Sequence, residues 1–344
     1  AAWDERIAGW NAEQDLAQRV QRWEQERKRR RERGQNAVPR PDDLRPGPAF
    51  DRNNPGSAYN AMLAPLAGFR ISGCIFHQGY NNALGDSRPS LYAKTFQAMI
   101  ADWRRAFEDE SLPFGVIELS AGAEPQTLDN FELRMIDAGP FIREAQFKAF
   151  LELENIGWAA AYDQQVNWYH PQMKVQLGER IARWALATRY GLPIGWEPAR
   201  LVQSQAVGKR MVLTFDREVT VRDGRPIEGM AIAGDDQRFY PAQANFVVAR
   251  KDKRGRDVLD RHRMEVFSPF VSDPQAVRYA WARCPLGNLT NLAHMERILP
   301  VPSFRTDDWD WPDASFGADQ GDARRRQNES RNRARDHIPV SYTH

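Results

Sequence analysis

The sequence predicts an α/β protein, a parallel sheet with flanking helices followed by a β-rich C-terminal domain. Three observations carry that reading. Ile71 to Phe76, Pro113 to Leu119 and Ile156 to Tyr162 are continuous apolar runs that each lead into a polar loop, the pattern of parallel strands covered on both faces. Helical patterns lie between these runs. Beyond residue 193 the pattern changes to short strand-like runs broken by Gly, Pro and Asp turns.

In chain order, residues 1–50 open with a charged helix from Asp4 to Arg33, in which Glu24 faces Lys28 and Glu26 faces Arg30 at i,i+4 spacing. They close in a Pro-rich linker between Pro39 and Pro48. The Arg27 to Arg33 run reads as a solvated helix end, with a patch for an anionic polymer as the alternative. Residues 51–192 form the α/β layer. Tyr92, Phe96, Met99, Ile100, Trp103 and Phe107 recur on one side of a helix from Leu91 to Phe107, and Phe141, Ala145 and Phe150 mark a second from Phe141 to Leu153. Pro171 fixes φ near the helical value and lacks an N–H that a first turn would leave unpaired, so it opens a third helix with Leu177, Ile181, Trp184 and Ala185 on its buried face. Residues 193–306 form the β-rich domain, with strands at Met211 to Phe215 and Asn245 to Ala249. Residues 307–344 read as a polar, Arg-rich tail, extended or disordered until a partner orders it.

Functional groups in such sheets gather beyond the carboxyl ends of the strands, where the loop from Gln78 to Asn82, Asp163 and His170 all fall. His170 sits on the loop side just before a packed helix, where it could shuttle a proton near neutral pH or serve only as a structural cap. Trp168 and Tyr169 beside it suit either the rim of a pocket or core packing. Gly79 suits a tight turn and Asn82 a bond to loop backbone.

Composition narrows the classes. The 344 residues, 42% hydrophobic with 11 tryptophans, are those of a globular chain able to bury a core. A net charge of +2 argues against a nucleic-acid partner, and no apolar run reaches membrane length. Cys74 and Cys284 read as separate free thiols. The six histidines show no metal-ligand spacing and no Gly-rich phosphate loop occurs, so no cofactor is expected.

One further pattern runs through the chain. YNAMLAPL (Tyr59 to Leu66), HQGYNNA (His77 to Ala83), Ala-Asp-Trp-Arg (Ala101 to Arg104), LPF (Leu112 to Phe114), REAQ (Arg143 to Gln146), HPQMK with GERIARWAL (His170 to Leu186), VRYAW (Val277 to Trp281) and PSFRT (Pro302 to Thr306) follow one another in order. Together they resemble the C-terminal half of the sialate O-acetylesterase family, carbohydrate esterases of the SGNH hydrolase superfamily, over residues 55–306. The resemblance implies a flavodoxin-like sheet, removal of acetyl groups from sugar hydroxyls by a serine nucleophile, and a periplasmic or extracellular setting. Carried over by position, His170 resembles the family's general base, and Gly79 and Asn82 its oxyanion-hole residues. Gln78, Tyr80, Trp168 and Tyr169 are then the candidates for substrate contact. Arg143 and Arg278, inside two of the motifs, read as structural ion-pair residues.

The sequence departs from the family at three places. Tyr80 and Asn81 stand where the family's loop reads Gln-Gly-Glu-Ser-Asn. Asn167 and Trp168 stand where an acid normally precedes the histidine, which leaves Asp163 as the candidate acid. The family's nucleophile motif, Gly-Gln-Ser-Asn-Met, does not occur; the nearest Gly-Ser pair is Gly56-Ser57. The expectation is a second portion of a larger protein, its serine supplied by an upstream segment or second chain that completes the sheet. A non-catalytic carbohydrate-binding or assembly subunit that keeps the fold is the alternative. An O-acetylated carbohydrate is the expected small-molecule partner.

Overall fold

The computed structural model describes residues 2–51, 54–84, 88–164 and 174–309. They form two compact units, one of residues 1–70 with 106–108 and the other of the remainder.

In the first unit the expected single charged helix is two, α1 (Ala2–Ala8) and α2 (Ala12–Glu32). Asn11 causes the restart: its side chain accepts the Gln14 backbone N–H at 2.9 Å, an N-cap that begins a new helix after Gly9. Arg30 and Glu26 pair at 2.9 Å one turn apart on an otherwise solvated stretch. The Pro-rich segment after α2 folds back on it. The Trp23 indole donates to the Val38 carbonyl at 2.8 Å, and buried Arg19 bridges Asp15 at 2.7 Å and Asp43 at 2.9 Å.

The second unit is built on a three-stranded parallel sheet, β1 (Cys74–His77), β2 (Phe114–Ile117) and β3 (Ile156–Ala159), in that spatial order. Side chains alternate across it. Phe114, Val116 and Trp158 face α3 (Pro89–Ala106) and, after the short α4 (Phe131–Met135), α5 (Gly139–Glu152). Ile117 and Ala159 face α6 (Val175–Arg189), which presents Leu177, Ile181 and Trp184. The Trp184 ring lies directly over Gly115 and Gly157: a Cβ on Gly115 would sit 2.7 Å from its Cζ3, and one on Gly157 would clash with the indole at the Cδ2, Cε2 and Cε3 atoms. Both strands therefore need glycine where the indole crosses them. Strands β2 and β3 are wholly buried as expected, but outer strand β1 is not, and Ile75 is 63% exposed because α6 packs over β2 and β3. The start of the third helix at Pro171 lies outside the described residues, whose helix begins at Val175.

The β-rich part contains the antiparallel order β4-β5-β10-β9, from β4 (Leu201–Val207), β5 (Arg210–Phe215), β9 (Gln243–Lys251) and β10 (Asp257–Phe267). A second antiparallel sheet runs β13-β11-β7-β8, from β7 (Met230–Ala233), β8 (Tyr240–Pro241), β11 (Ala276–Tyr279) and β13 (Phe304–Arg305). Strands β6 (Val219–Val221) and β12 (Leu289–Asn291) pair separately. Ala160 and Tyr162, just past β3, share one core with Leu213, Phe215, Ile232 and Val277, so the α/β layer and the β-rich part are packed as one body.

Two expectations are corrected here. Arg278 does form an ion pair, with Asp307 at 2.8 Å, but Arg143 is held by oxygen dipoles. Its guanidinium donates to the carbonyls of Ala280 at 3.1 Å, Ala282 at 2.6 Å and Arg283 at 3.3 Å and to the Ser303 hydroxyl at 3.2 Å. Packed structure also continues past residue 306: the Asp307 side chain is 1% exposed between Arg278 and Arg305, and the Trp309 ring packs on Phe239. Both thiols are free, Cys74 half-buried and Cys284 buried. No helix among the described residues is long and apolar enough to cross a membrane.

Candidate functional site

Parallel alignment brings the carboxyl ends of β1, β2 and β3 to one edge of the sheet, and the residues that follow them are cross-linked by buried polar side chains. Gln146 of α5 is fully buried. Its Oε1 accepts the Leu119 N–H at 2.8 Å after β2, while its Nε2 donates to the Gln78 carbonyl at 2.8 Å after β1 and to the Tyr92 hydroxyl at 3.0 Å. One amide thus fixes two loop origins.

The Gln78 to Asn82 loop is therefore rigidly seated. Gly79 has φ +142°, a conformation L side chains rarely adopt, and a Cβ there would lie 3.2 Å from the Gln146 Nε2 and 3.3 Å from Ile142. The Asn82 N–H donates to the Gly79 carbonyl at 3.0 Å, and the Gln78 side-chain Nε2 donates to the Asn82 Oδ1 at 2.7 Å. The Tyr80 hydroxyl reaches the Gly122 carbonyl at 3.2 Å, joining this loop to the one after β2, and the Arg283 guanidinium lies over its ring.

Glu118, at the end of β2, closes the edge toward β3. Its Oε1 accepts the N–H groups of Ala161 at 2.6 Å and Tyr162 at 2.8 Å, while its buried Oε2 has no hydrogen-bond partner among the described residues. Burial pushes this carboxyl up to about 7, against the smaller opposing pull of Arg143 and the two amides.

The Asp163 side chain is 1% exposed and bonded by two arginines. Arg180 reaches both carboxylate oxygens at 2.7 Å, and Arg222 reaches Oδ2 at 2.7 Å. Burial pushes the Asp163 pKa upward, but the hydrogen bonds and charges of these arginines outweigh it and the net shift is downward. Arg180 also donates to the carbonyls of Ala160 at 2.6 Å and Ile298 at 2.7 Å. Asp163 is thus a charged anchor for the turn after β3.

Of the residues expected at the site, Gln78, Gly79, Tyr80 and Asn82 come together in one loop, and Asp163 stands after β3. His170, Trp168 and Tyr169 lie outside the described residues. The structure adds a contact that reading the sequence missed: the His77 Nε2 lies 2.9 Å from the Ser120 Oγ. The available signal was a histidine ending one apolar run and a serine following the next. Partial burial, and then the Lys174 ammonium, pull the His77 pKa below the ordinary histidine value.

Residues 49–187 match the family model "Carbohydrate esterase, sialic acid-specific acetylesterase". Sialate O-acetylesterase from Rattus norvegicus is 27% identical over 266 residues, covering 72% of this chain and 46% of the rat protein. The Homo sapiens enzyme is 26% identical over 269 residues, covering 72% and 48%. The crystal structure of a carbohydrate acetylesterase from Xanthomonas citri superimposes with a TM-score of 0.61 at 33% identity, covering 73% of this chain and 53% of that one. The chain spans about half the length of the curated relatives it matches.

Proposed function

We propose, because residues 49–187 belong to the sialic acid-specific acetylesterase family of carbohydrate esterases, that the chain acts on O-acetylated carbohydrate by acyl transfer. The observation that carries this reading is the seated loop after β1, which supports a role for Gly79 and Asn82 in holding the oxyanion of a tetrahedral intermediate. In this mechanism His170 is the general base and then the general acid, and a serine hydroxyl attacks the acetyl carbon. The family's Gly-Gln-Ser motif does not occur in the sequence, so an upstream segment or a second chain is one source of that serine. Gln78, Tyr80, Trp168 and Tyr169 contact the sugar.

A second reading, a carbohydrate-binding subunit without turnover, is supported by Asp163. Arg180 and Arg222 already engage both of its oxygens, which disfavours it as the acid that orients an imidazole. Hydrolysis of p-nitrophenyl acetate and of an O-acetylated sialic acid by the wild type and by His170→Ala separates the two. Acyl transfer through His170 is expected to fall about 10²–10⁴-fold in the variant. No turnover by either protein, with calorimetric binding of the O-acetylated sugar retained, favours the binding subunit.

A further inference from the structure

We propose that Ser120 and His77 form a nucleophile–base pair of this chain's own, for acyl transfer from esters of small carboxylic acids. The inference rests on the acyl-ester reading above but uses neither His170 nor a serine from outside the sequence. Its basis is placement. His77 is the last residue of β1 and Ser120 lies three residues past the end of β2, on neighbouring parallel strands where His77 is in register with Ile117. The Nε2–Oγ separation of 2.9 Å is a hydrogen bond of the kind that a nucleophile and its base require. The Tyr80 hydroxyl bonded to the Gly122 carbonyl and Gln146 bonded to the Leu119 N–H and the Gln78 carbonyl hold the two loops together on either side of this contact. The dyad therefore sits on rigid elements beside the Gly79 loop.

The reaction balances without a co-reactant beyond water. His77 Nε2 takes the Ser120 proton as Oγ bonds to the acyl carbon. The carbon–oxygen bond to the alcohol then breaks, and the alcohol leaves with the proton from the imidazolium. Water adds to the acyl-serine with His77 again as base, Ser120 regains its proton, and the free acid departs. A His77 pKa lowered by partial burial favours the neutral imidazole that the first step needs.

The test is covalent labelling of the full chain with a fluorophosphonate, the adduct located by peptide mass mapping, in the wild type, Ser120→Ala, His77→Gln and His170→Ala. The expected result is an adduct on Ser120, absent in Ser120→Ala and formed about 10²–10⁴-fold more slowly in His77→Gln. An adduct on another serine, or none in the wild type, overturns the pair. Thermal melts check that each variant folds; should Ser120→Ala not, the wild-type adduct position and the His77→Gln rate still decide. Labelling of Ser120 without hydrolysis of an O-acetylated sugar keeps the dyad and removes the sugar reading. Sugar hydrolysis lost in His170→Ala but untouched in Ser120→Ala does the reverse.

Discussion

A carboxyl group enclosed as fully as that of Glu118 ties folding to pH. Its folded pKa of about 7 stands above the ordinary value of 4.5, so the native state holds the proton more tightly than the unfolded chain. The stability this contributes is complete below pH 4.5 and is lost as pH rises through 7, roughly 3 kcal/mol in all. Asp163, shifted downward, acts in the opposite sense, and its contribution is lost only as pH falls below 3.8. Urea unfolding between pH 5 and 8 should therefore show a declining wild-type stability that Glu118→Gln flattens; equal slopes would mean that the buried carboxyl stays ionised. Such environments were only partly legible in the sequence. The Gln78 to Asn82 loop and Asp163 could be picked out because loops at strand ends carry polar groups. Their partners could not. Arg222 is 59 positions from Asp163 and Ser120 is 43 from His77, separations that no local spacing encodes.

At the scale of elements, burial writes itself into the sequence as periodicity, which is why β2, β3, α3, α5 and most of α6 fall close to the apolar patterns that announced them. Two features escaped for definite reasons. The break before Asn11 depends on one side-chain cap within a uniformly charged stretch, and the half-open state of β1 depends on which elements a distant helix covers. The seam between α6 and the sheet carries the clearest prediction. Gly157→Ala drives a methyl against the Trp184 indole and should cost about 1–3 kcal/mol. Trp184→Leu in that background should recover part of the loss, so a double-mutant cycle by chemical denaturation is expected to show a coupling of about 1 kcal/mol or more. Strict additivity would mean that the indole does not rest on these glycines.

Over the whole molecule, the change in pattern near residue 193 is visible in the sequence, whereas the bonds that cross it are not. Tyr162 donates to the Val301 carbonyl at 2.7 Å, and Arg143 ties α5 to residues 280–283 and Ser303. Arg143→Met leaves several buried carbonyl and hydroxyl oxygens without their donor and should lower stability by about 3 kcal/mol or more. Tryptophan fluorescence and far-ultraviolet circular dichroism should still report one coincident transition in the wild type; two separated transitions would show that the α/β layer and the β-rich part melt independently. The same arginine also sets a schedule for synthesis. It leaves the ribosome with α5, while the oxygens that receive it are made 137 to 160 residues later. At about 5–20 residues per second, roughly 7–32 s pass between the two events. Throughout that interval the guanidinium keeps its water and that end of α5 stays unsealed, so the growing chain offers chaperones a partly open α/β layer until its last strands emerge.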